Sequence, residues 1–269
     1  MEITVKQRRY NLGCIQDVPD SRDHCYSPDT TLIRQLPPEI NLQDFPIYDQ
    51  GRIGSCTANA LAGAIEYLRS MTQKRPRFIP SRLFIYYNER TIEGSVDYDA
   101  GAELRNGIKT LHNTGVCMER EWGYDDTPPA NLNEAFPADS PAVKQPSSCC
   151  YDEARKYRIS CYQRLNQDLT HFKECLASGK PFVFGFATYD SWLNGKSPAT
   201  YIPLPTDDDR YVGGHAVLCV GYDDNRKLFR IRNSWGASAG DNGYFYIPYD
   251  YLMNADLARD FWIICGIKH

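Results

Sequence analysis

The fold class predicted for this 269-residue chain is α+β, a mainly helical N-terminal lobe followed by an antiparallel, β-rich C-terminal lobe, and three observations carry the expectation. Thr57 to about Met71 is rich in Ala, Leu, Ile and Glu, the composition of a helix interior, and further helical signals run from Pro80 to about Glu93 and from Glu103 to Asn113. From Tyr157 onward, short apolar or alternating runs bounded by turn residues dominate, with one more helical signal near Leu169 to Ser178. Between the halves lies a Pro- and Ser-rich stretch, Thr127 to Ser148, read as a linker. The expected division is an N-terminal extension over 1–36, a helical lobe over 37–148 and a β-rich lobe over 149–269, with the substrate site in the cleft between the lobes.

The extension is polar, with Asp17, Pro19, Asp20, Arg22 and Asp23, and it ends at Pro37-Pro38. It also holds Ile3, Val5, Tyr10, Leu12, Ile15, Val18, Tyr26, Leu32, Ile33 and Leu36, enough apolar side chains to dock on a surface. The first helix of the helical lobe is preceded by a turn, Asp49-Gln50-Gly51-Arg52-Ile53-Gly54-Ser55, which places Cys56 at a helix N-terminus. Unpaired N–H groups and the positive end of the macrodipole there favour a thiolate, the form that attacks carbonyl carbon. A cysteine packed as a small hydrophobe is the competing reading, and this window alone does not decide between them.

In the last quarter, Val212 to Tyr222 is an almost wholly apolar run interrupted by His215, read as a buried strand. Asp223 to Lys227 is turn chemistry and Leu228 to Asn233 alternates like a second strand, so the two form a hairpin centred near residue 224. His215 and Asn233 then lie roughly opposite each other, where Cβ atoms are about 5 Å apart. Asn233 can bond one ring nitrogen of His215 and leave the other to face a thiol.

At these blocks the chain resembles the papain-like cysteine proteases, in a diverged bacterial or viral form. The resemblance rests on Gln50-Gly51-Arg52-Ile53-Gly54-Ser55-Cys56-Thr57-Ala58, on Gly214-His215-Ala216 with Val220-Gly221-Tyr222, and on Asn233-Ser234-Trp235-Gly236 with Gly240 to Tyr244. It implies a papain-like two-lobed fold, Cys56 as nucleophile, His215 as base and acid, Asn233 as orienter of the imidazole, and Gln50 as oxyanion donor. It also implies a substrate edge at Gly101 and Ala102, further substrate-binding positions at Gly213 and Gly214, and a shield over the imidazole from Trp235, also named as a substrate-binding residue. Ile53 stands where most secreted members carry a disulfide cysteine, and Thr57 where a Trp is usual, which is expected to reshape the cleft wall. The implied reaction is peptide hydrolysis through a thioester. An acyl transferase or deamidase using the same groups, or a peptide-binding homologue with dormant chemistry, are the alternatives. The extension is too short for a helical cathepsin pro-domain. It is expected either to lie across the cleft and gate it or to strap apolar surface elsewhere, and ten extended residues reach about 33 Å.

Composition excludes several classes. A net charge of -4 and 24% charged residues give no electrostatic case for nucleic acid or an anionic membrane. No run of about 18 apolar residues suits a membrane span, and the N-terminus lacks the apolar stretch of a secretory signal, so a cytoplasmic location or a non-classical export route is expected. Ten cysteines without Cys-x-x-Cys spacing suit a reduced compartment. Cys149-Cys150 with Cys161 and Cys175, and His24-Cys25 with Cys14, are loose clusters read as free thiols rather than metal sites. The expectation is a monomer that needs no cofactor or metal and takes a peptide or protein as its partner.

Overall fold

Secondary structure begins with β1 (Cys14–Ile15), α1 (Thr30–Ile33) and β2 (Glu39–Asn41), then the helices α2 (Cys56–Thr72) and α3 (Arg82–Glu93), strand β3 (Ala102–Glu103) and helix α4 (Leu104–Asn113). The second half contributes α5 (Ser148–Ala154), β4 (Ile159–Arg164), α6 (Leu169–Ala177), β5 (Phe182–Tyr189), α7 (Asp190–Leu193), β6 (Tyr211–Asp223), β7 (Leu228–Arg232), β8 (Tyr244–Pro248), α8 (Tyr249–Met253) and β9 (Ala258–Ile267). The computed structural model describes residues 12–42, 45–72, 78–131, 133–193 and 199–268. Ile3, Val5 and Tyr10 of the extension lie outside them.

The axis of the molecule is α2, buried on every side from Cys56 to Tyr67. Its Ala and Gly content permits that depth, because small residues let neighbours approach: a Cβ on Gly63 would come within 2.6 Å of Arg232 Nη1. Helix α3 starts at an N-cap, Ser81, whose hydroxyl accepts from Phe84 N, and stops at Gly94 in the left-handed region. Helices α2, α3 and α4 pack together as the helical lobe. The segment at Glu103, expected to open a helix, pairs as β3 with β1 before α4 begins.

The β lobe is a seven-stranded sheet in the order β4-β9-β5-β6-β7-β8, with β2 added to β6. Every pair in it is antiparallel. Strand β2, just after the extension, thus belongs to this sheet rather than to the helices. Along β5, Phe182, Phe184 and Phe186 enter one core while Val183 faces the other, the side toward α2. Along β6, Val217 and Cys219 face the first core and Ala216, Leu218 and Val220 the second, so a strand covered on both faces reads as an unbroken apolar run. Phe172, Phe182, Phe184 and Phe261 fill the β-lobe core, with stacked pairs at 5.1 Å (Phe172 and Phe182) and 5.6 Å (Phe184 and Phe261).

Candidate active site

The register of the hairpin differs from a turn centred on residue 224. Leu218 opposes Arg232, and the ladder is irregular between Cys219 and Gly221. The turn is centred between residues 225 and 226, with Asp223 opposite Leu228, and the one-residue bulge at Val220 leaves a net offset of about two; on its other edge, His215 pairs with Phe186 of β5. Asn233, just past the end of β7, still reaches it: His215 Nε2 and Asn233 Oδ1 are 2.8 Å apart. Asn233 Oδ1 also accepts from Ser234 N–H at 2.8 Å, which fixes the amide's orientation. His215 stacks on Trp235 with ring centroids 4.9 Å apart, and Trp235 stacks on Trp192 at 5.0 Å. Trp192, from the short helix α7, is a part of this deck that no sequence motif pointed to; its Nε1 donates to Ala199 O at 2.8 Å.

Cys56 and His215 are fully buried. The backbone N–H groups of Ala216, Gly13 and Thr57 face the sulfur and favour its anion, yet burial outweighs them and pushes the thiol up to about 11. Burial likewise lowers His215 to about 4, against the hydrogen bond its ring makes to Asn233 Oδ1. Among the described residues, His215 Nδ1 has no hydrogen-bond partner. Burial thus works against the thiolate expected from a helix N-terminus and against a charged imidazole, while the N–H groups around the sulfur work for the anion.

Gln50 is also buried. Its Nε2 donates to Ile53 O at 3.1 Å and its Oε1 accepts from Ser234 Oγ at 2.7 Å, a link between the lobes that the sequence reading missed. Tyr124 Oη donates to Gln50 O at 2.9 Å and lies 2.6 Å from Ser55 Oγ. Thr57, expected to reshape the cleft wall, instead points into the helical core, where its hydroxyl donates to Glu89 Oε2 at 2.9 Å.

The extension lies across the site. Gly101 and Ala102 on one side and Gly213 and Gly214 on the other enclose Leu12 to Ile15. Ala102 N–H donates to Gly13 O at 2.8 Å, and β1 runs parallel to β3 with Cys14 opposite Ala102. A Cβ on Gly214 would stand 2.2 Å from Cys14 O, one on Gly213 3.0 Å from Leu12 Cβ, and one on Gly13 itself 1.9 Å from Gly54 O. Glycine is what allows each approach. Just beyond, Asp17 is pinned: its Oδ2 accepts from Trp262 Nε1 at 2.8 Å, its Oδ1 from Arg105 N at 3.0 Å, and its own N–H donates to Asp260 at 2.9 Å. Arg164 bridges Asp260 at 2.6 Å and Asp23 at 3.4 Å, while Arg105 holds Asp23 at 2.6 Å. These contacts tie the strap to both lobes.

The family model for papain family cysteine proteases matches residues 36–262. This chain belongs to that family. It is a cysteine peptidase. The papain-family chain is 54% identical to xylellain, a cysteine protease from Xylella fastidiosa, over 97% of this chain and 98% of that one, with a TM-score of 0.94. It is 38% identical to an uncharacterized peptidase C1-like protein of Acanthamoeba polyphaga mimivirus over 94% of this chain and 86% of the other. Mouse cathepsin J is 27% identical over 79% of this chain, which spans 59% of that protein. A procathepsin B of Trypanosoma congolense, at 17% identity, shares the fold with a TM-score of 0.73 over 99% of this chain. The papain-like two-lobed α+β fold is thus this chain's fold. The family match begins at residue 36, so the strap lies outside it. All ten cysteines are free, and among the described residues no group of three His, Cys, Asp or Glu side chains could hold a metal.

Proposed function

We propose that the peptidase works through Cys56, His215 and Asn233, with a thioester intermediate, and that residues 12–17 gate it. His215 takes the Cys56 proton as the sulfur attacks the peptide carbonyl. The C–N bond breaks once His215 returns the proton to the leaving amine, leaving an acyl group on sulfur. Water, deprotonated by the same imidazole, then releases the acid and restores the thiol. Gln50 Nε2 and the Cys56 N–H donate to the oxyanion, and Asn233 holds the ring so that Nδ1 faces sulfur. The observation that carries the reading is the 2.8 Å contact between His215 Nε2 and Asn233 Oδ1 beside a sulfur met by the Ala216 N–H.

Gating rests on the same geometry. With Gly13 seated against Ala102 and Gly54, a peptide has no access to Cys56. Opening would bring water to the cleft, relieve the burial that disfavours both charged forms and let the proton pass from sulfur to imidazole. The test compares the full chain with one starting near Leu36 in two separate measurements, turnover of a small peptide and of a protein, and the rate and site of labelling by an epoxide thiol inactivator. Faster labelling of Cys56 and faster turnover by the shortened chain are expected. A shortened chain that stays folded with unchanged kinetics rules gating out, and label found on another cysteine rules out the nucleophile.

A further inference from the structure

A single peptide unit links the parts of this site that no sheet holds. Its carbonyl, Ile53 C=O, accepts from Gln50 Nε2 at 3.1 Å. Its N–H, on Gly54, donates to Asp99, 2.9 Å from Oδ1 and 3.0 Å from Oδ2. A third contact on Asp99 comes from Tyr86, whose hydroxyl donates to Oδ1 at 2.6 Å and accepts from Gly101 N–H at 3.2 Å. Tyr86 is fully buried on α3. The Arg90 guanidinium lies 4.1 Å from its ring centroid and donates to Val96 O and Tyr98 O, at 2.6 and 3.2 Å, in the loop that carries Asp99. A continuous chain of contacts therefore runs from α3 through Asp99 and the Ile53–Gly54 peptide to the Gln50 amide. A peptide is planar, so its carbonyl cannot turn unless its N–H turns with it.

Resting on the reading of Gln50 as oxyanion donor, we propose that Asp99 is a positioning residue of the hydrolysis: by holding the Gly54 N–H it fixes the plane of the Ile53–Gly54 peptide, and through that carbonyl the Gln50 amide, in register with the edge at Gly101 and Ala102. A carboxylate suits the task, since hydrogen bonds to an ionised acceptor are stronger and shorter than neutral ones. Gly54 precedes the first turn of α2, and Asp99 supplies its N–H with a partner from the loop that leads into the substrate edge. With Ile53 in place of a disulfide cysteine and all ten cysteines free, the turn before the nucleophile is tied by a carboxylate that reductant does not touch.

The test measures peptide turnover by the full chain for wild type, Asp99→Ala, Asp99→Asn, Gln50→Ala and the Asp99→Ala/Gln50→Ala pair, with the ¹⁵N resonances of the Gln50 side-chain amide recorded for each chain that keeps it. Asp99→Ala is expected to lower kcat by roughly 10- to 100-fold, up to the effect of losing one oxyanion donor. Asp99→Asn, which retains an acceptor oxygen for Gly54 N–H, recovers most of the loss. The double variant should fall within about threefold of Gln50→Ala alone, because both changes act on one donor. The Gln50 resonances should move in Asp99→Ala even while the strap is closed, so positioning is read at low turnover. A purely structural role predicts a lower melting temperature and the same fold-loss with or without Gln50; that additivity, or unmoved Gln50 resonances, overturns the proposal. If Asp99→Ala does not fold, Tyr86→Phe removes one contact on Asp99, and it must lower kcat a few-fold and move the Gln50 amide, or the proposal fails. Gln50→Ala at full activity would bring down the oxyanion reading itself, whereas an impaired Gln50→Ala beside an unaffected Asp99→Ala brings down only this inference.

Discussion

His215 and Cys56 meet in one cleft from unlike scaffolds. The imidazole stands mid-strand, with Phe186 paired to it on β5, a bulge setting the height of Asn233, and Trp235 and Trp192 stacked over the ring. Its position is a sum over many ladder bonds and buried rings. The thiol and Gln50 stand at a turn and a helix start outside the seven-stranded sheet. One bridge, Asp49 to Trp235, with Gln50 N–H donating to Ser234 O at 2.8 Å, ties that turn to the β lobe, and polar side chains add to it: Tyr124 Oη donates to Gln50 O, Ser234 Oγ donates to Gln50 Oε1 and Asp99 accepts from Gly54 N–H. The sheet half is held by a long ladder, whereas the turn half leans on one bridge and a few polar side chains, so loss of a support there should reach the chemistry less diluted.

Deleting either reacting group is the harshest trial of the pairing. Cys56→Ala and His215→Ala are each expected to lower turnover by at least about 1,000-fold with the fold intact by near-ultraviolet circular dichroism; more than a tenth of wild-type rate in either would separate the halves. Gln50→Ala comes next, with a loss of about 100-fold in kcat, and Asn233→Ala should lose less, because the stacked Trp235 still orients the ring. Asn233→Ala more impaired than His215→Ala would contradict those roles. Gly13→Val tests the strap in the opposite direction. Its Cβ would stand 1.9 Å from Gly54 O, and overpacking of about 1 to 3 kcal/mol should raise peptide turnover roughly tenfold by favouring the open state. Unchanged or lower turnover in a folded protein would show that the strap does not limit entry.

The smallest effect is on stability against pH. Burial lowers His215 from 6.5 to about 4, so the closed protein binds fewer protons than the unfolded chain in that window. Stability from this group is complete above about pH 6.5 and falls as acid is added toward about 4, by at most about 3 kcal/mol. Asp17 works the other way: burial first, then the neighbouring Asp260, raises it from 3.8 to about 6, so its share is present below about pH 4 and lost as pH rises through 6. The melting temperature of wild type minus that of His215→Gln, followed from pH 7 to 4, isolates the imidazole. A difference that stays flat across the window means the ring is not buried neutral.

Legibility from sequence followed the same division. The hairpin, the Cys56 helix and α3, α4 and α6 were readable because apolar period, caps and turn residues are local signals. The partner contact of His215 was readable despite a bulge at Val220, since the Asn233 side chain spans a register error of two. The burial that raises the thiol's pKa was not, because it depends on what packs over Cys56, and one such neighbour is Gly13, 43 positions earlier. Thr57 was misjudged for the same kind of reason: whether it faces cleft or core is decided by the distant Glu89. Neither Ser234 on Gln50 nor Trp192 over Trp235 leaves any periodic trace. The strap's composition showed that it would dock but not where, because its fit depends on glycines at 13, 101, 213 and 214 that meet only in three dimensions.

The placement of the four tryptophans gives the molecule its own optical readout. Trp235 and Trp192 stack in series on the imidazole, and Trp262 donates its indole N–H to Asp17 on the strap. Protonated imidazole is a strong quencher of indole emission, and loss of a carboxylate partner shifts an indole's emission wavelength. One fluorescence trace, with no dye attached, thus carries two signals: intensity from the ring of His215 and colour from the anchor of the strap. Their order in time after a pH jump would tell whether the cleft opens before the imidazole takes up its proton.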